Sequence, residues 1–248
     1  MRHLMMIVCL CALARGQEVK TYTYPDGGHQ SSKPAHLFIL SGQSNMARLD
    51  PAVSFTPTVA AHFGQDDVIV VKLAKGSQPI SQWDREWLSA QGTRMSDQGA
   101  LYEQLISLVR SATEGRKVLS VTLAWMQGEN DANRNQVSVY RGALDRLQSQ
   151  LVEDLSHEDV NLVIGRLSDA KSNEGNPRRE SWLAMRALQQ EYSESSDSRA
   201  WVNTDDLNNM TDRETGEPRN DVHYTQDGYR TFGQRLAEAA IALVDAEQ

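Results

Sequence analysis

Five short apolar runs, each followed by a segment of helical spacing, constrain this chain more than any other feature. The runs lie at 37–40, 68–71, 118–125, 160–164 and 200–202. Val68-Ile69-Val70-Val71 is continuous and β-branched, as strands covered on both faces of a parallel sheet are. Between and after the runs, apolar residues recur with the period of an amphipathic helix. They are Leu101, Leu105, Leu108 and Val109; then Val137, Tyr140, Leu144, Leu147, Leu151 and Leu155; then Trp182, Met185, Leu188 and Tyr192. A shorter helix is expected at 56–63 and a closing one through Tyr229, Phe232, Leu236 and Leu243. This alternation predicts an α/β fold: a central parallel sheet of about five strands with helices on both faces.

At 248 residues the chain suits one sizeable core. Residues 36–248 are expected to form a single domain, and 17–35 a polar leader with no core of its own. The first 16 residues read as a signal peptide. Met1-Arg2-His3 is basic, 4–14 are apolar but too few to span a bilayer, and Ala12-Leu13-Ala14 supplies a small-x-small cleavage pattern. The mature protein is therefore expected to be secreted or periplasmic, with no integral membrane segment. Both cysteines, Cys9 and Cys11, fall inside the signal peptide. A mature chain without cysteine has no disulfide and no thiolate nucleophile. The net charge of -8, with no basic cluster, argues against nucleic acid as a partner.

Parallel sheets carry their chemistry at the carboxyl ends of the strands. The first run ends in Ser41-Gly42-Gln43-Ser44-Asn45-Met46, the second in Lys75-Gly76-Ser77-Gln78 and the third in Trp125-Met126-Gln127-Gly128-Glu129. The fourth ends in Gly165-Arg166-Leu167-Ser168-Asp169, and the fifth leads through a polar loop to Asn220-Asp221-Val222-His223-Tyr224. A serine, a histidine and several carboxylates thus converge on one edge. Ester hydrolysis by serine needs a hydroxyl, a base in hydrogen-bond reach, an orienting group on the base and donors for the oxyanion. Ser44 offers the hydroxyl and His223 the imidazole. Gly76 and Ser44 offer backbone N–H groups, and Gln127 a side-chain amide. The plainer role for Ser44 is an N-cap for the following helix. No His-x-His or His-x-x-x-His pair occurs, so neither metal nor cofactor is expected. Met46 stands where a G-x-S-x-G elbow requires its second glycine, which disfavours an ordinary α/β-hydrolase.

Three motifs, Gly42-Gln43-Ser44-Asn45-Met46, Trp125-Met126-Gln127-Gly128-Glu129 and Asp221-Val222-His223-Tyr224-Thr225, together resemble the sialate O-acetylesterase and acetylxylan esterase group of the SGNH hydrolases, that is, carbohydrate esterase family 6 and its relatives. The resemblance runs from about 36 to 244. It implies a flavodoxin-like three-layer α/β/α fold and metal-independent removal of O-acetyl groups from oligo- or polysaccharide. It further implies Ser44 as nucleophile, His223 as base, and Ser44, Gly76 and Gln127 as oxyanion donors.

The chain departs from the D-x-x-H pattern of these enzymes. The position three before His223 is Asn220, and the aspartate is Asp221. The acid is therefore either Asp221 or Glu129, or the enzyme works as a dyad. Arg48, Arg166 and Asp169 are candidate substrate contacts, with loop-bracing ion pairs as the alternative. Trp83 and Trp87 are expected in the core, with sugar stacking as the less favoured role. The competing functions are a non-catalytic glycan-binding module on the same fold and an SGNH lipase or thioesterase.

Overall fold

The structure is a computed structural model describing residues 18–25, 33–211 and 218–247. The expected signal peptide lies outside the described residues. Strands β1 (Lys20–Tyr24), β2 (Ala35–Gly42), β3 (Val68–Ala74), β4 (Val118–Met126), β5 (Asn161–Gly165) and β6 (Arg199–Val202) form one sheet in the order β1-β3-β2-β4-β5-β6. From β3 to β6 all pairings are parallel. These five are the expected strands, and their spatial order is the flavodoxin-like one.

Strand β1 is an addition. It lies antiparallel on β3, Lys20 opposite Ala74 and Tyr24 opposite Val70. The segment expected to be a leader thus supplies an edge strand. Lys-Thr-Tyr-Thr-Tyr is polar enough to read as a surface segment, and it is only partly buried in place.

Helices α1 (Ser44–Arg48) and α4 (Glu129–Asn133) have five residues each and sit directly after β2 and β4. Helices α2 (Phe55–Phe63) and α7 (Gln226–Ala246) pack together on one face. Helices α3 (Ala100–Ala112), α5 (Val137–Leu155) and α6 (Arg179–Glu194) cover the other. A hairpin of β7 (Asn209–Thr211) and β8 (Pro218–Asn220) precedes His223.

The core runs along the sheet. Every residue of β3 and β5 is buried. The two tryptophans of the 75–97 loop belong to this core. Trp83 is fully buried, meets Trp125 edge-on at 5.1 Å and donates its indole N–H to Ser41 Oγ at 2.9 Å. Trp87 is 5% exposed. Arg146 pins the same loop by chelating Asp84 at 2.9 and 2.7 Å. Those anchors explain how so long a connection keeps one conformation.

In an open α/β sheet, ligands bind where the strand order reverses. Here that point lies between β2 and β4, whose carboxyl ends carry Ser44 and Gln127-Gly128-Glu129.

Candidate active site

The site begins at a glycine. Gly42 ends β2 with φ +140, a conformation side-chain-bearing residues avoid. A Cβ there would stand 2.0 Å from the Met126 carbonyl oxygen of the neighbouring strand. That closeness lets the Gln43 N–H donate to the same oxygen at 2.8 Å, which turns the chain off the sheet and starts α1 at Ser44. Gln43, not Ser44, occupies the N-cap position, and it makes no side-chain cap.

Ser44 Oγ lies 3.2 Å from His223 Nε2. The two residues come from opposite ends of the chain, one after β2 and one before α7. Thr225 caps α7 by accepting from the Gly228 N–H at 2.9 Å. Asn208, fully buried, donates to the Asp221 carbonyl at 2.8 Å and so ties the base-bearing turn to the preceding loop. Burial and the nearby Arg48 guanidinium hold the His223 imidazole below its ordinary pKa, with Asp221 acting against them. A ring so held stays neutral at mildly acidic pH, the form that accepts a hydroxyl proton.

Neither of the two carboxylates offered as the acid contacts His223. Among the described residues no group hydrogen-bonds His223 Nδ1; the ring's partner is Ser44. The Asp221 carboxylate folds back onto the N–H of Val222 at 2.6 Å. Glu129 is buried and reaches Asn45, whose Nδ2 donates to it at 3.2 Å and to the Val222 carbonyl at 2.9 Å. Burial pushes the Glu129 carboxyl up to about 7, with the Asn45 hydrogen bond acting against it. Glu129 is linked to the turn that carries His223 through Asn45. Asn45 is the hub, since its Oδ1 also accepts from Tyr229 OH at 3.0 Å. One buried amide thus joins α1, α4, α7 and the turn before His223. Sequence reasoning treated Asn45 as a flank of the nucleophile. The signal was its place inside the first motif, where a buried amide has three bonds to satisfy.

The expected oxyanion donors divide. Gly42 and Ala74 are register partners, so Ser44 and Gly76, each two residues on, leave the sheet at the same level. Neither N–H is engaged with another group among the described residues. Gln127 does not match the expectation. It is fully buried, and its amide donates to Gln78 O at 3.0 Å and Asp131 Oδ2 at 2.6 Å, with Gln43 Oε1 at 3.3 Å. Its two hydrogens are committed, and it braces the loops around the site.

Arg166 is likewise braced. It pairs with Asp205 at 3.0 Å, bonds Gln190 and Asn203, and lies over the Trp201 ring at 4.4 Å. Asp169 sits in that same cluster, where its N–H serves the Asp205 carboxylate. Arg166 is thus held in the ion-pair network offered as the alternative to substrate contact, and Asp169 joins that network through its backbone. Arg48 is different. It is exposed, has no carboxylate partner among the described residues, and lines a cleft of about 530 Å³ with Asp50, Tyr224, Gln226, Tyr229 and Arg230. Tyr224 follows the base directly, and Arg48 stands about one helical turn beyond the nucleophile.

This geometry carries a prediction. In a serine triad an isosteric change of the acid costs ~10⁴ in rate. Here Asp221→Asn keeps the acceptor for Val222 N–H, so kcat/KM on p-nitrophenyl acetate is expected to change by no more than about fivefold. Its acid limb should move to lower pH, because Asp221 raises the His223 pKa. Glu129→Ala frees Asn45 and is expected to cost about tenfold to a hundredfold. A loss near 10⁴ in Asp221→Asn would place the acid there after all.

The profile of the family described as "Carbohydrate esterase, sialic acid-specific acetylesterase" matches residues 47–242. The match begins beyond Ser44, so the part given to Ser44 rests on geometry. No curated protein matches the chain. Among solved structures, an Arabidopsis thaliana protein is 18% identical with a TM-score of 0.60, over 84% of this chain and 98% of its own. A carbohydrate acetylesterase from Xanthomonas citri is also 18% identical with a TM-score of 0.60, over 85% of this chain and 56% of its own. An acetyl xylan esterase from Geobacillus stearothermophilus is 12% identical with a TM-score of 0.53, over 86% and 97%. At these identities the likenesses speak for the fold. The family match covers most of the sequence, and on it the chain belongs to the sialic acid-specific acetylesterase family of carbohydrate esterases, which are carboxylic ester hydrolases.

Proposed function

We propose that this protein is an exported serine esterase that removes O-acetyl groups from carbohydrate through an acyl-enzyme on Ser44. The 3.2 Å contact between Ser44 Oγ and His223 Nε2 at the switch point of the sheet carries the reading. The neutral imidazole takes the hydroxyl proton as Oγ attacks the acetyl carbonyl carbon. The oxyanion is met by the Ser44 and Gly76 N–H groups; one such donor is worth roughly 3 kcal/mol. The protonated His223 gives its proton to the departing sugar oxygen. Water then attacks the acetyl-serine with His223 again as base, releasing acetate. Export rests on the basic, apolar and small-residue order of the first 16 residues. Among the described residues no helix is long and apolar enough to cross a membrane.

The cleft, lined not by Ser44 or His223 themselves but by Tyr224 and Thr225 just after the base, favours a sialate-type substrate over xylan. Arg48 and Arg230 face it without a carboxylate partner among the described residues. A planar guanidinium suits a sugar carboxylate, which xylose lacks. Arg48→Ala is expected to raise KM for an O-acetylated sialoside about tenfold while leaving p-nitrophenyl acetate hydrolysis within about threefold. The acid limb should rise, opposite to Asp221→Asn, because Arg48 lowers the His223 pKa. Acetate release from both kinds of glycan checks this. An equal KM change on acetylated xylan would remove the carboxylate from the argument. Binding of glycan with no acetate released would favour the non-catalytic module.

A further inference from the structure

Lysine is almost never fully buried unless its charge is partnered. Lys72 stands in the middle of β3, in register with Leu40 of β2 and Tyr22 of β1, and is 4% exposed. Among the described residues no carboxylate forms an ion pair with it. Its ammonium instead donates to two backbone carbonyls, Ala47 O at 3.0 Å and Leu49 O. These lie at the carboxyl end of α1, the helix whose first residue is Ser44.

A helix of five residues cannot hold itself together, since nucleation costs more than so few bonds return. Its last carbonyls have no partners of their own, and they form the negative end of its dipole. The orientation of α1 therefore depends on what grips its two ends. The Gly42-Gln43 turn against Met126 grips the first. The second is gripped from β3 by a cation. We propose that Lys72 is a positioning residue for the esterase reaction: its buried ammonium clamps the Ala47 and Leu49 carbonyls and holds Ser44 Oγ in line with His223. The proposal rests on Ser44 being the nucleophile, as argued above.

The charged groups acting on Lys72 are Asp50, just beyond α1, and Lys20, on β1. Burial, with Lys20 acting the same way, outweighs Asp50 and brings the ammonium down to about 8 from an ordinary 10.5. Above the lower value the clamp loses its charge. In the unfolded chain the lysine keeps its proton up to the higher value. Between them the unfolded state binds more protons, so the fold gains stability from this group as pH rises. Activity and stability should thus move in opposite directions over the same interval, which ordinary alkaline unfolding would not produce.

The test compares wild type, Lys72→Met and Lys72→Arg by p-nitrophenyl acetate kinetics and by amide hydrogen exchange across residues 44–50. In Lys72→Met, kcat is expected to fall about tenfold to a hundredfold with KM within about twofold. Protection at 44–50 should drop while the other β3 neighbours keep theirs. Lys72→Arg, charged at every accessible pH, should recover part of the rate and lose the alkaline limb near the Lys72 transition. A Lys72→Met protein with kcat within about twofold and unchanged exchange would overturn the proposal. So would an alkaline limb that persists unaltered in Lys72→Arg. If Lys72→Met does not fold, wild-type protection factors at 44–50 decide: they should fall between about pH 7 and 9.5 while resistance to urea does not, and constancy contradicts the clamp. Activity surviving Ser44→Ala would instead defeat the nucleophile assignment, and the exchange data would still report on the clamp.

Discussion

Ser44→Ala is expected to lower kcat/KM on p-nitrophenyl acetate by about 10⁴-fold or more while the protein stays folded. The serine is a half-buried residue at the start of a short helix and caps nothing, so its loss leaves no buried group unpaired. Its hydroxyl has one partner, His223 Nε2. His223→Ala should cost a similar factor, and the double variant little more than either single one. Residues that act as a unit are non-additive in this way, because once the proton acceptor is gone the hydroxyl has little left to contribute. Two independent losses that multiplied would mean that Ser44 and His223 do separate jobs. Kinetics of the three variants, with melting temperatures as a control for folding, provide the comparison.

Gly42→Ala is expected to remove more than about 4 kcal/mol of stability, a large share of the roughly 5–15 kcal/mol that holds a native fold. The reason is twofold. At φ +140 a side chain is strained wherever it points. Here it would also meet the Met126 carbonyl at 2.0 Å, on a strand buried from Ser120 through Met126 and unable to withdraw there. Gly115→Ala is the matched control. That glycine has φ +72 with nothing within 4 Å of the new carbon, so its cost should be about 1 kcal/mol. Urea denaturation of the two variants separates close approach from backbone strain alone. The nucleophile stands where it does because β2 and β4 touch at this glycine, and nothing larger can take its place.

The parallel strands were readable because strands buried on both faces have no polar alternation to disguise them. Val68-Ile69-Val70-Val71 and Leu162-Val163-Ile164 are continuous apolar runs for that reason. The helices α3, α5 and α6 were readable by their period. What escaped was short or on an edge. Helices of five residues show no period, so α1 and α4 could not be seen. Strand β1 pairs on one side only and can afford threonine and tyrosine. The Ser44–His223 pair was readable because both residues lie in compact motifs at strand ends. The acid was not, because whether a carboxylate reaches Nδ1 depends on how one turn is wound. Asp221 and Val222 hydrogen-bond to each other, and spacing alone cannot show that. Arg48 and Arg166 looked alike as arginines near strand ends. Asp205 and Asn203 bond Arg166, whereas Arg48 has no carboxylate partner among the described residues, and that difference is not written in the spacing.

The buried lysine is the kind of local contradiction that marks a working part. A strand otherwise made of Val, Ile, Leu and Ala carries one ammonium, and it is aimed at the far end of the nucleophile's helix. Together with Asn45, which bonds the base's turn, it gives the proposed way in which a Ser–His pair with no contacting carboxylate among the described residues is kept in line.

The most direct test is to trap the intermediate. Wild type quenched early in turnover of p-nitrophenyl acetate is digested and its peptides are weighed. An acetyl group on the peptide containing Ser44, absent from Ser44→Ala treated identically, is the result expected here. Steady turnover with no acetyl on Ser44, or with the acetyl on another residue, would contradict it.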